Sequence, residues 1–577
     1  MSDKNSQSTP NDGKHFYPKV KITCEQFKPK LSNLELNKEY IIKQYHQHAA
    51  EGADLVVFTE LCLSGYTPKD LLFSDDFLQR HQTCLDEIIE ASKNKDTCLI
   101  LPSFELNNGN LYNACYVIKN GEIAFLLRKE NLANGEIFDE YRYFKPAIND
   151  SLCFTHKGVK IGLAICEDFW QASYYQKLAE QNPDFVIAVN ASPYHRQKLY
   201  NRLQTALQRI AKLNKPIIYL NQVLAQDGIL FDGKSFVYNG NNSLQVHKNA
   251  FTQDVFALSY QSDKLLHLDS DDLSNFEDIN LQIDRLKDIK ICDAYRALVF
   301  GLKEYVHQNC FSKVLIGISG GIDSALVATI ASDAFGSGNV KGIFMPSVFT
   351  TKQSFDDAKD LAKKLKIELD VISIDNLRLA YNGLLPSLSP LAMENTQARI
   401  RGNILMAISN SDGSLLLTTG NKSEIATGYC TLYGDMCGAY NPIKDLYKTE
   451  VFEVARWRNN NMLDFTECKE LNIINQSLLT KAPSAELRDG QKDSDSLPDY
   501  PLLDKILYCL VEQRLSPKQS ANKLSSLEAF KNIADLNGIV DKVQKLLLTS
   551  EYKRRQSAPG TRLSPLSFEP SDRRVNL

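Results

Sequence analysis

The sequence lacks any apolar run of the roughly 18 residues that a membrane-spanning helix needs. It also lacks a charge excess, because its 66 basic and 70 acidic residues nearly cancel to a net charge of −4. That balance disfavours a polybasic protein that binds nucleic acid or a membrane surface. The polar segment 1–19 has no apolar core of a signal peptide. We therefore expect a globular chain with no nucleic-acid and no membrane partner.

Paired cysteines are missing as well. The thirteen cysteines are odd in number and show neither CxxC pairs nor the spacing of zinc ligands. This pattern disfavours a disulfide framework and favours a reduced, cytoplasmic compartment. The length of 577 residues allows roughly three or four domains. Hydrophobic residues at 43% and charged residues at 24% are typical of a chain with a sizeable core.

The order of predicted elements divides the chain into two α/β domains. Residues 1–18 are polar and predict a disordered tail. In the first domain, residues 19–265, short hydrophobic strands alternate with helical patterns, which is typical of sheets covered on both faces. The predicted strands are 53–58, 98–104, 112–118, 160–165, 185–190 and 216–223. The acidic stretch 268–278 lies within a predicted linker, 266–290.

The second domain, residues 291–577, alternates strands and helices more regularly. The strand-like runs are 314–318, 342–345, 369–374 and 415–418, and helical patterns over 324–335 and 354–365 separate them. This alternation predicts right-handed crossovers and a doubly wound parallel sheet, with ligands at the carboxyl ends of the strands. The segment 553–574 is rich in Arg, Pro and Ser and predicts a tail that orders on binding.

A glycine-containing loop in the second domain predicts a phosphate site. The strand VLIGI is followed by Ser-Gly-Gly-Ile-Asp-Ser at 319–324 and then by a helix. Glycine lets the backbone approach a ligand closely, and amides at a helix N-terminus attract anions. No lysine closes the loop, so it is not the loop of P-loop NTPases. Gly336, Gly338 and Gly342 have the wrong spacing for a dinucleotide fingerprint and lead into a strand.

This loop resembles the pyrophosphate-binding loop of the N-type ATP pyrophosphatases, which include GMP, asparagine and NAD synthetases. Other segments of the second domain resemble those of NAD synthetases in particular. They are ENTQAR at 394–399, TGNKSE at 419–424, GYCTLYGD at 428–435, PSAEL at 483–487 and QKDSDSLP at 491–498. The resemblance implies an ATP pyrophosphatase fold. It also implies a reaction in which ATP adenylates the nicotinate carboxylate of deamido-NAD and ammonia then displaces AMP from the adenylate.

The resemblance also assigns residues to the substrates. It implies that ATP is bound by Gly317, Ile318, Ser319, Gly320, Gly321, Ile322, Asp323, Ser324 and Thr419. For deamido-NAD it implies Asn395, Glu424, Tyr429, Cys430, Thr431, Leu432, Tyr433, Gly434 and Lys553. Asp323 and Glu424 would hold Mg²⁺ through hard carboxylate oxygens, and Lys448 would be a cation beside the phosphates.

In the first domain, three chemically active residues stand at or near the ends of predicted strands. Cys166 directly follows the strand-like run KIGLAI and enters a turn, where a thiol can act as a nucleophile. Glu60 directly follows the run DLVVFT. Lys129 precedes the segment FDEYRYF at 138–144. No histidine lies near them in the sequence, which leaves a Cys–His protease unsupported. In this chain order, Glu, Lys and Cys resemble the nitrilase (carbon–nitrogen hydrolase) superfamily.

That resemblance implies an αββα sandwich in which Glu60 accepts the thiol proton, Cys166 attacks an amide carbon and Lys129 stabilises the oxyanion. Ser192 and Lys198 match positions that hold the polar ends of glutamine. Nearly every residue after Lys19 thus resembles the glutamine-dependent NAD synthetases. The resemblance further implies that ammonia is channelled between the two sites and that the chain forms a homo-oligomer.

Some positions depart from the family pattern, and all lie around the predicted glutamine pocket. Thr59 replaces a proline, Ala133 and Gly135 replace a proline and a tyrosine, and residues 224–228 replace a glycine-pair loop. Because the tyrosine is replaced by Gly135, we expect the binding free energy of glutamine to be weaker by about 1–3 kcal/mol. Two alternatives remain open at this point. One is an ammonia-dependent synthetase with a structural first domain, and the other is a different adenylating amidotransferase such as a GMP synthetase.

Overall fold

The computed structural model describes residues 19–135, 137–239, 243–246, 250–261, 263–267, 277–278 and 290–569. The predicted disordered tail, 1–18, lies outside the described residues, as do 268–276 and 279–289 of the predicted linker. Of the linker residues that are described, 266–267 end a strand, Glu277–Asp278 form a short strand and Lys290 begins a helix.

The first domain contains two mixed sheets, each with seven strands within the described part of the chain. Across the first sheet, the strands are Lys264–His267, Asp254–Gln261, Val20–Gln26, Leu55–Val57, Cys98–Asn107, Asn110–Lys119 and Glu122–Arg128. Across the second, they are Glu277–Asp278, Ser243–Val246, Phe236–Tyr238, Ile217–Asn221, Phe185–Asn190, Val159–Ile165 and Cys153–His156. Two hairpins, Asn134–Gly135 with Phe138–Asp139 and Val223–Gln226 with Ile229–Asp232, lie outside both sheets.

The two-residue period of the strands explains the layers of this domain. Leu55 and Val57 point one way and join a core that contains strand residues of both sheets. Val56 points the other way, into a core shared with the helices Leu34–Ala50 and Asp75–Ala91. The second sheet is covered by the helices Ala172–Glu180 and Lys198–Leu213, whose apolar residues join the first core. The predicted αββα sandwich is confirmed.

The second domain is built on a parallel sheet of four strands, in the order Glu368–Val371, Val340–Phe344, Val314–Gly317 and Leu415–Leu417. Within the described residues, its α-helices of five residues or more are Lys290–Gln308, Ile322–Phe335, Lys352–Leu365, Asp375–Leu384, Pro390–Asp412, Lys422–Thr427, Lys448–Asn460, Gln476–Thr480, Tyr500–Leu507, Pro517–Ser525 and Leu536–Thr549, and a π-helix, Tyr508–Glu512, follows Tyr500–Leu507.

Both faces of this sheet are covered, as a doubly wound fold requires. Val314 and Ile316 pack against residues of the helices Lys290–Gln308 and Ile322–Phe335. Leu315, between them, packs on the opposite face against Ile400 and Leu405 of the helix Pro390–Asp412. The predicted doubly wound parallel sheet is confirmed.

The C-terminal segment differs from its prediction. Residues 553–569 do not form a tail that waits for a ligand, because their polar groups already have buried partners. The amides of Leu563 and Ser564 donate to Asp445 Oδ2 at 2.7 and 2.6 Å, and the amide of Arg562 donates to Gly228 O of the first domain at 2.9 Å. Composition indicated polarity but could not show that buried acceptors were present. Residues 570–574 lie outside the described part.

The cysteines and the helices relate to two expectations from the sequence, which disfavoured a disulfide framework and a membrane-spanning helix. All thirteen cysteines lie within the described residues, and every one is a free thiol. Within the same residues, we find no helix whose length and apolarity would let it cross a lipid bilayer.

One buried ion pair gives a stability prediction for the second domain. Asp333 and Arg458 are fully buried, with the guanidinium bonded to both carboxylate oxygens, and Tyr295 also donates to Asp333. Replacing Arg458 by methionine leaves the carboxylate buried without its counter-ion, so we expect a loss of about 3–5 kcal/mol of folding free energy. Thermal unfolding by scanning calorimetry would measure it.

The matched control is Lys531→Met, which removes an exposed pair with Glu528 and should cost less than about 1 kcal/mol. Equal unfolding midpoints for the Arg458 and Lys531 variants would contradict the prediction.

Candidate active sites

In the first domain, the folded chain brings Glu60 and Lys129 together near the carboxyl ends of strands. Lys129 directly follows the strand Glu122–Arg128, and its Nζ lies 2.8 Å from Glu60 Oε1. Cys166 directly follows the strand Val159–Ile165 of the other sheet, and electrostatic interactions link it to both residues. All three side chains are buried. The predicted set therefore converges from two sheets onto one place.

A fourth residue, Glu140, belongs to this cluster and was missed by sequence reasoning. Its Oε1 lies 2.9 Å from Lys129 Nζ and accepts a hydrogen bond from Tyr66 OH at 3.1 Å. Its Oε2 accepts from the amide of Ala133 at 2.7 Å. The segment FDEYRYF contains it, but the sequence offered no reason to choose Glu140 over its neighbour Asp139. In the structure Glu140 is buried and Asp139 is exposed.

Burial and charge determine the protonation of this cluster. Burial acts to lower the pKa of Lys129, but the carboxylates of Glu140 and Glu60 outweigh it and hold that pKa well above its usual value. Burial raises the pKa of the Cys166 thiol well above its usual value, and Glu60 raises it further while Lys129 opposes the rise. The lysine is therefore cationic and the resting thiol is protonated, so the nucleophile needs a base.

The backbone at Cys166 is unusual for a residue with a side chain. Its φ of 43° and ψ of −93° place it in a turn at the start of the short helix Glu167–Trp170. The amide of Cys166 donates to Val189 O at 2.9 Å, which anchors the turn to the neighbouring strand. Asp168 accepts from the amide and the side chain of Asn131, at 2.9 and 2.8 Å, and so ties the turn to the segment after Lys129.

The two predicted glutamine-binding residues lie near this turn. Ser192 is buried, and its Oγ accepts from Arg202 Nε at 3.2 Å. Lys198 Nζ lies 4.5 Å from the ring centroid of Trp170, in the helix that follows Cys166. At Gly135, where the backbone has a φ of 101°, no heavy atom of the described residues, apart from the chain neighbours, lies within 4 Å of the position that a Cβ would occupy. The departure from tyrosine is therefore accompanied by open space.

The second domain contains a cavity of about 300 Å³ at the carboxyl ends of its strands. Every predicted ATP-binding residue lines it: Gly317, Ile318, Ser319, Gly320, Gly321, Ile322, Asp323, Ser324 and Thr419. Of the predicted deamido-NAD residues, Glu424, Tyr429, Cys430 and Gly434 also line it.

The other predicted deamido-NAD residues lie outside the lining of this cavity; they are Asn395, Thr431, Leu432, Tyr433 and Lys553. Lys553 Nζ donates to the carbonyl oxygens of Gly428 and Cys430, each at 2.7 Å. Thr431 Oγ1 donates to Asn395 Oδ1 at 2.9 Å, whereas Tyr433 is 67% exposed. Lys553 and Asn395 therefore support the segment after Gly428 from outside the cavity.

The loop at 319–324 has the geometry that its sequence predicts. Gly320 has a φ of 75°, and a Cβ there would lie 2.2 Å from the carbonyl oxygen of Ser354, so only glycine fits. Ser324 Oγ accepts from the amide of Ser319 at 3.2 Å and donates to Gly321 O at 3.1 Å. Gly321 precedes the helix Ile322–Phe335 as its N-cap residue and has no side chain that could cap it. The first amides of the helix are therefore available to an anion.

Charged side chains surround this loop. Lys448 Nζ lies 2.5 Å from Asp323 Oδ2 and 3.3 Å from Glu424 Oε1, and Asn421 Nδ2 donates to Asp323 Oδ1 at 3.0 Å. Burial raises the pKa of Glu424 to about 8. Lys448 acts to lower this pKa, and Asp323 acts to raise it. No group of three or more His, Cys, Asp or Glu residues suited to a metal occurs in the described ranges. Asp323 and Glu424 could therefore supply only part of a metal's coordination shell.

The cavity also has cationic lining residues that sequence reasoning missed. Lys481 Nζ lies 2.7 Å from Ser354 Oγ and 3.2 Å from Glu486 Oε1, a residue of the quoted PSAEL segment. Arg401 donates to Met345 O, and burial lowers its pKa to about 10. Arg401 follows the ENTQAR segment closely, but no sequence signal separated it from Arg399, which does not line the cavity.

Comparisons with known proteins match each of the two domains to a family. A carbon–nitrogen hydrolase family model matches residues 21–260, and an NAD synthase family model matches residues 294–557. The glutamine-dependent NAD(+) synthetase of Rhodobacter capsulatus is 39% identical over 558 residues, covering 95% of this chain and 97% of the relative.

Solved structures resemble the whole chain as well. The glutamine-dependent NAD+ synthetase of Acinetobacter baumannii, solved with ADP, has a TM-score of 0.73 at 33% identity and covers 96% of this chain and 98% of its own. The Cytophaga hutchinsonii structure, with a TM-score of 0.77 at 18% identity, covers 96% of this chain and 97% of its own, and supports the fold alone. The chain belongs to the glutamine-dependent NAD(+) synthetase family, with a carbon–nitrogen hydrolase domain followed by an NAD synthase domain.

Proposed function

We propose that this chain forms NAD from deamido-NAD, ATP and glutamine, using a glutaminase site in residues 19–265 and a synthetase site in residues 291–577. One observation carries the proposal. Two separate sets of buried, charge-paired side chains, around Lys129 and around Lys448, occur in one chain that is similar to NAD synthetases over nearly its full length. A GMP synthetase has no support from these similarities.

At the first site, Glu60 accepts the proton of the Cys166 thiol, and the sulfur attacks the side-chain amide carbon of glutamine. The Lys129 ammonium, held by Glu60 and Glu140, faces the oxygen that becomes negative. The carbon–nitrogen bond then breaks, and the proton on Glu60 leaves with the nitrogen as ammonia. Water hydrolyses the resulting thioester, with Glu60 as its base, and releases glutamate.

At the second site, the amides of 319–324 and the charge of Lys448 hold the phosphates of ATP. The nicotinate carboxylate of deamido-NAD attacks the α-phosphorus, and pyrophosphate leaves. Ammonia from the first site then attacks the carboxyl carbon of the adenylate and displaces AMP. Lys448, fixed between Asp323 and Glu424, can orient the phosphates because it is a buried cation.

The site fits Mg²⁺. Asp323 and Glu424 are hard oxygen ligands that face the same ammonium, and phosphate oxygens would complete the coordination that the protein alone does not supply. When bound, Mg²⁺ supplies positive charge that neutralises the phosphates. Two neighbouring carboxylates beside a phosphate loop favour such a cation. Its charge would offset the burial and the repulsion from Asp323 that raise the pKa of Glu424.

We also propose a cytoplasmic, homo-oligomeric enzyme. Thirteen free thiols fit a reducing compartment. The helix Asp375–Leu384 has no buried residue, and it exposes Leu379 by 58% and Leu384 by 78%, while Leu391 on the next helix is 66% exposed. Exposed leucines concentrated on adjacent helices favour contact with a second copy of the chain.

A second candidate function is an ammonia-dependent synthetase with an inactive first domain. The open space at Gly135 is the observation that favours it, because the family's tyrosine is missing there. The intact Glu60–Lys129–Glu140 cluster argues against it. We therefore expect glutamine to be used with reduced affinity.

The first test compares nitrogen sources for the wild type and Cys166→Ala. Without the nucleophile, we expect NAD formation from glutamine to fall by at least about a thousandfold, while formation from ammonium persists. NAD and glutamate are both measured, and Cys310→Ala, which changes an exposed thiol, serves as the control. If the wild type itself needs ammonium and releases no glutamate, the second candidate replaces the first.

The second test concerns the phosphate site. Lys448→Gln should lower NAD formation by at least about a hundredfold with either nitrogen source, because it removes the cation beside the phosphates. Chelation of Mg²⁺ should abolish the same activity. Glutamate release by Lys448→Gln should remain measurable, and unchanged NAD formation by this variant would place the phosphates elsewhere.

The third test concerns assembly. Leu384→Glu with Leu391→Glu introduces two charges into the exposed leucine surface and should reduce the mass measured by light scattering. Leu548→Glu changes another half-exposed leucine and should leave the mass unchanged. A monomeric wild type, or a doubly substituted protein of unchanged mass, would contradict this surface as the contact.

A further inference from the structure

A short loop of the first domain, residues 191–196, connects the supports of the two active sites. At its start, the amide of Ala191 donates to Glu60 Oε2 at 2.8 Å. At its end, the amide of Arg196 donates to Leu563 O of the C-terminal segment at 3.0 Å. The Arg196 guanidinium also bonds both carboxylate oxygens of Glu450 in the second domain. Six residues therefore connect the proposed base of one site to the other domain.

Glu450 caps the helical turn that carries Lys448. It is the third residue of the helix Lys448–Asn460, and its Oε2 accepts from the amide of Tyr447 at 2.8 Å. This bond closes the first turn of the helix. Lys448 is the first residue of that turn, so the position of Glu450 affects where the Lys448 ammonium lies between Asp323 and Glu424.

The Arg196–Glu450 pair is suited to a positioning role. Each side chain is 24% exposed, so most of the pair is removed from solvent. A guanidinium that bonds two carboxylate oxygens fixes orientation as well as distance. The same guanidinium donates to the backbone carbonyl of Asp445 at 3.4 Å. Arg196 therefore contacts the chain on both sides of Lys448, at Asp445 before it and at Glu450 after it.

We propose that Arg196 is a positioning residue that holds Lys448 in place through Glu450 and couples glutamine hydrolysis in the first domain to NAD formation in the second. The proposal rests on the proposed function. It requires that a change at Arg196 affect both the binding of ATP and the ratio of glutamate released to NAD formed, although Arg196 does not line the synthetase cavity.

The experiment uses the full chain with Arg196→Gln. With ammonium as nitrogen source, the KM for Mg·ATP should rise about fivefold or more, because the turn that positions Lys448 loses its contact with Arg196. With glutamine, the glutamate released per NAD formed should rise about twofold or more, because the two sites lose their connection. Arg196→Lys keeps the charge but loses the fixed fork, so both changes should be smaller.

A second variant keeps the test decisive if Arg196→Gln does not fold. Glu450→Gln retains an oxygen that can accept from the amide of Tyr447 but removes the charge that Arg196 needs. It should change both readouts in the same direction. The matched control is Lys28→Met, which removes another ion pair between the domains, with Glu304 at 2.6 Å, and should change neither readout.

The outcomes separate this inference from the proposed function. A wild type that forms no NAD from either nitrogen source contradicts the proposed function itself. If the wild type is active and the folded Arg196 and Glu450 variants keep both the KM and the ratio, the inference is wrong. A lower unfolding midpoint with unchanged KM and ratio also overturns it, since the pair is then only structural. Equal effects from Lys28→Met overturn the specific role of Arg196.

Discussion

Both proposed active sites depend on a lysine ammonium that is buried between two carboxylates. Lys129 lies between Glu60 and Glu140, and Lys448 lies between Asp323 and Glu424. An unpaired charge is very costly to bury, so each cation needs its carboxylates in place before the site can form. In each cluster the second carboxylate is buried beside another acidic group, which favours a proton on it and raises the pKa of both Glu140 and Glu424.

This electrostatic requirement explains why the sites lie where strands end. Residues after a strand lie at the edge of a sheet, where side chains from distant parts of the sequence can meet. In the first domain, Cys166 and Lys129 follow strands of different sheets, and the sandwich brings these ends together. The sheets also exclude water, which strengthens the attraction within each cluster.

Part of the contact between the domains uses the same kind of pairing. Asp445 accepts from the amides of Leu563 and Ser564 and pairs with Lys422, so the C-terminal segment is held by a buried carboxylate. Arg196 reaches this region from the first domain and pairs with Glu450. The two domains therefore meet through ion pairs, a packed C-terminal segment and an apolar cluster in which Val223, Leu230 and Phe251 pack against the helix Lys290–Gln308.

The sequence by itself determined the local features. Short runs of apolar residues predicted the strands, and the glycines of 319–324 predicted a phosphate loop, because both patterns act over a few residues. Only the tertiary structure selected Glu140 over Asp139, distinguished Arg401 from Arg399 and packed residues 553–569. These outcomes depend on partners far away in the chain, such as Tyr66 for Glu140 and Asp445 for the C-terminal segment, and on which polar side chain the fold buries. Local patterns contain no information about such partners.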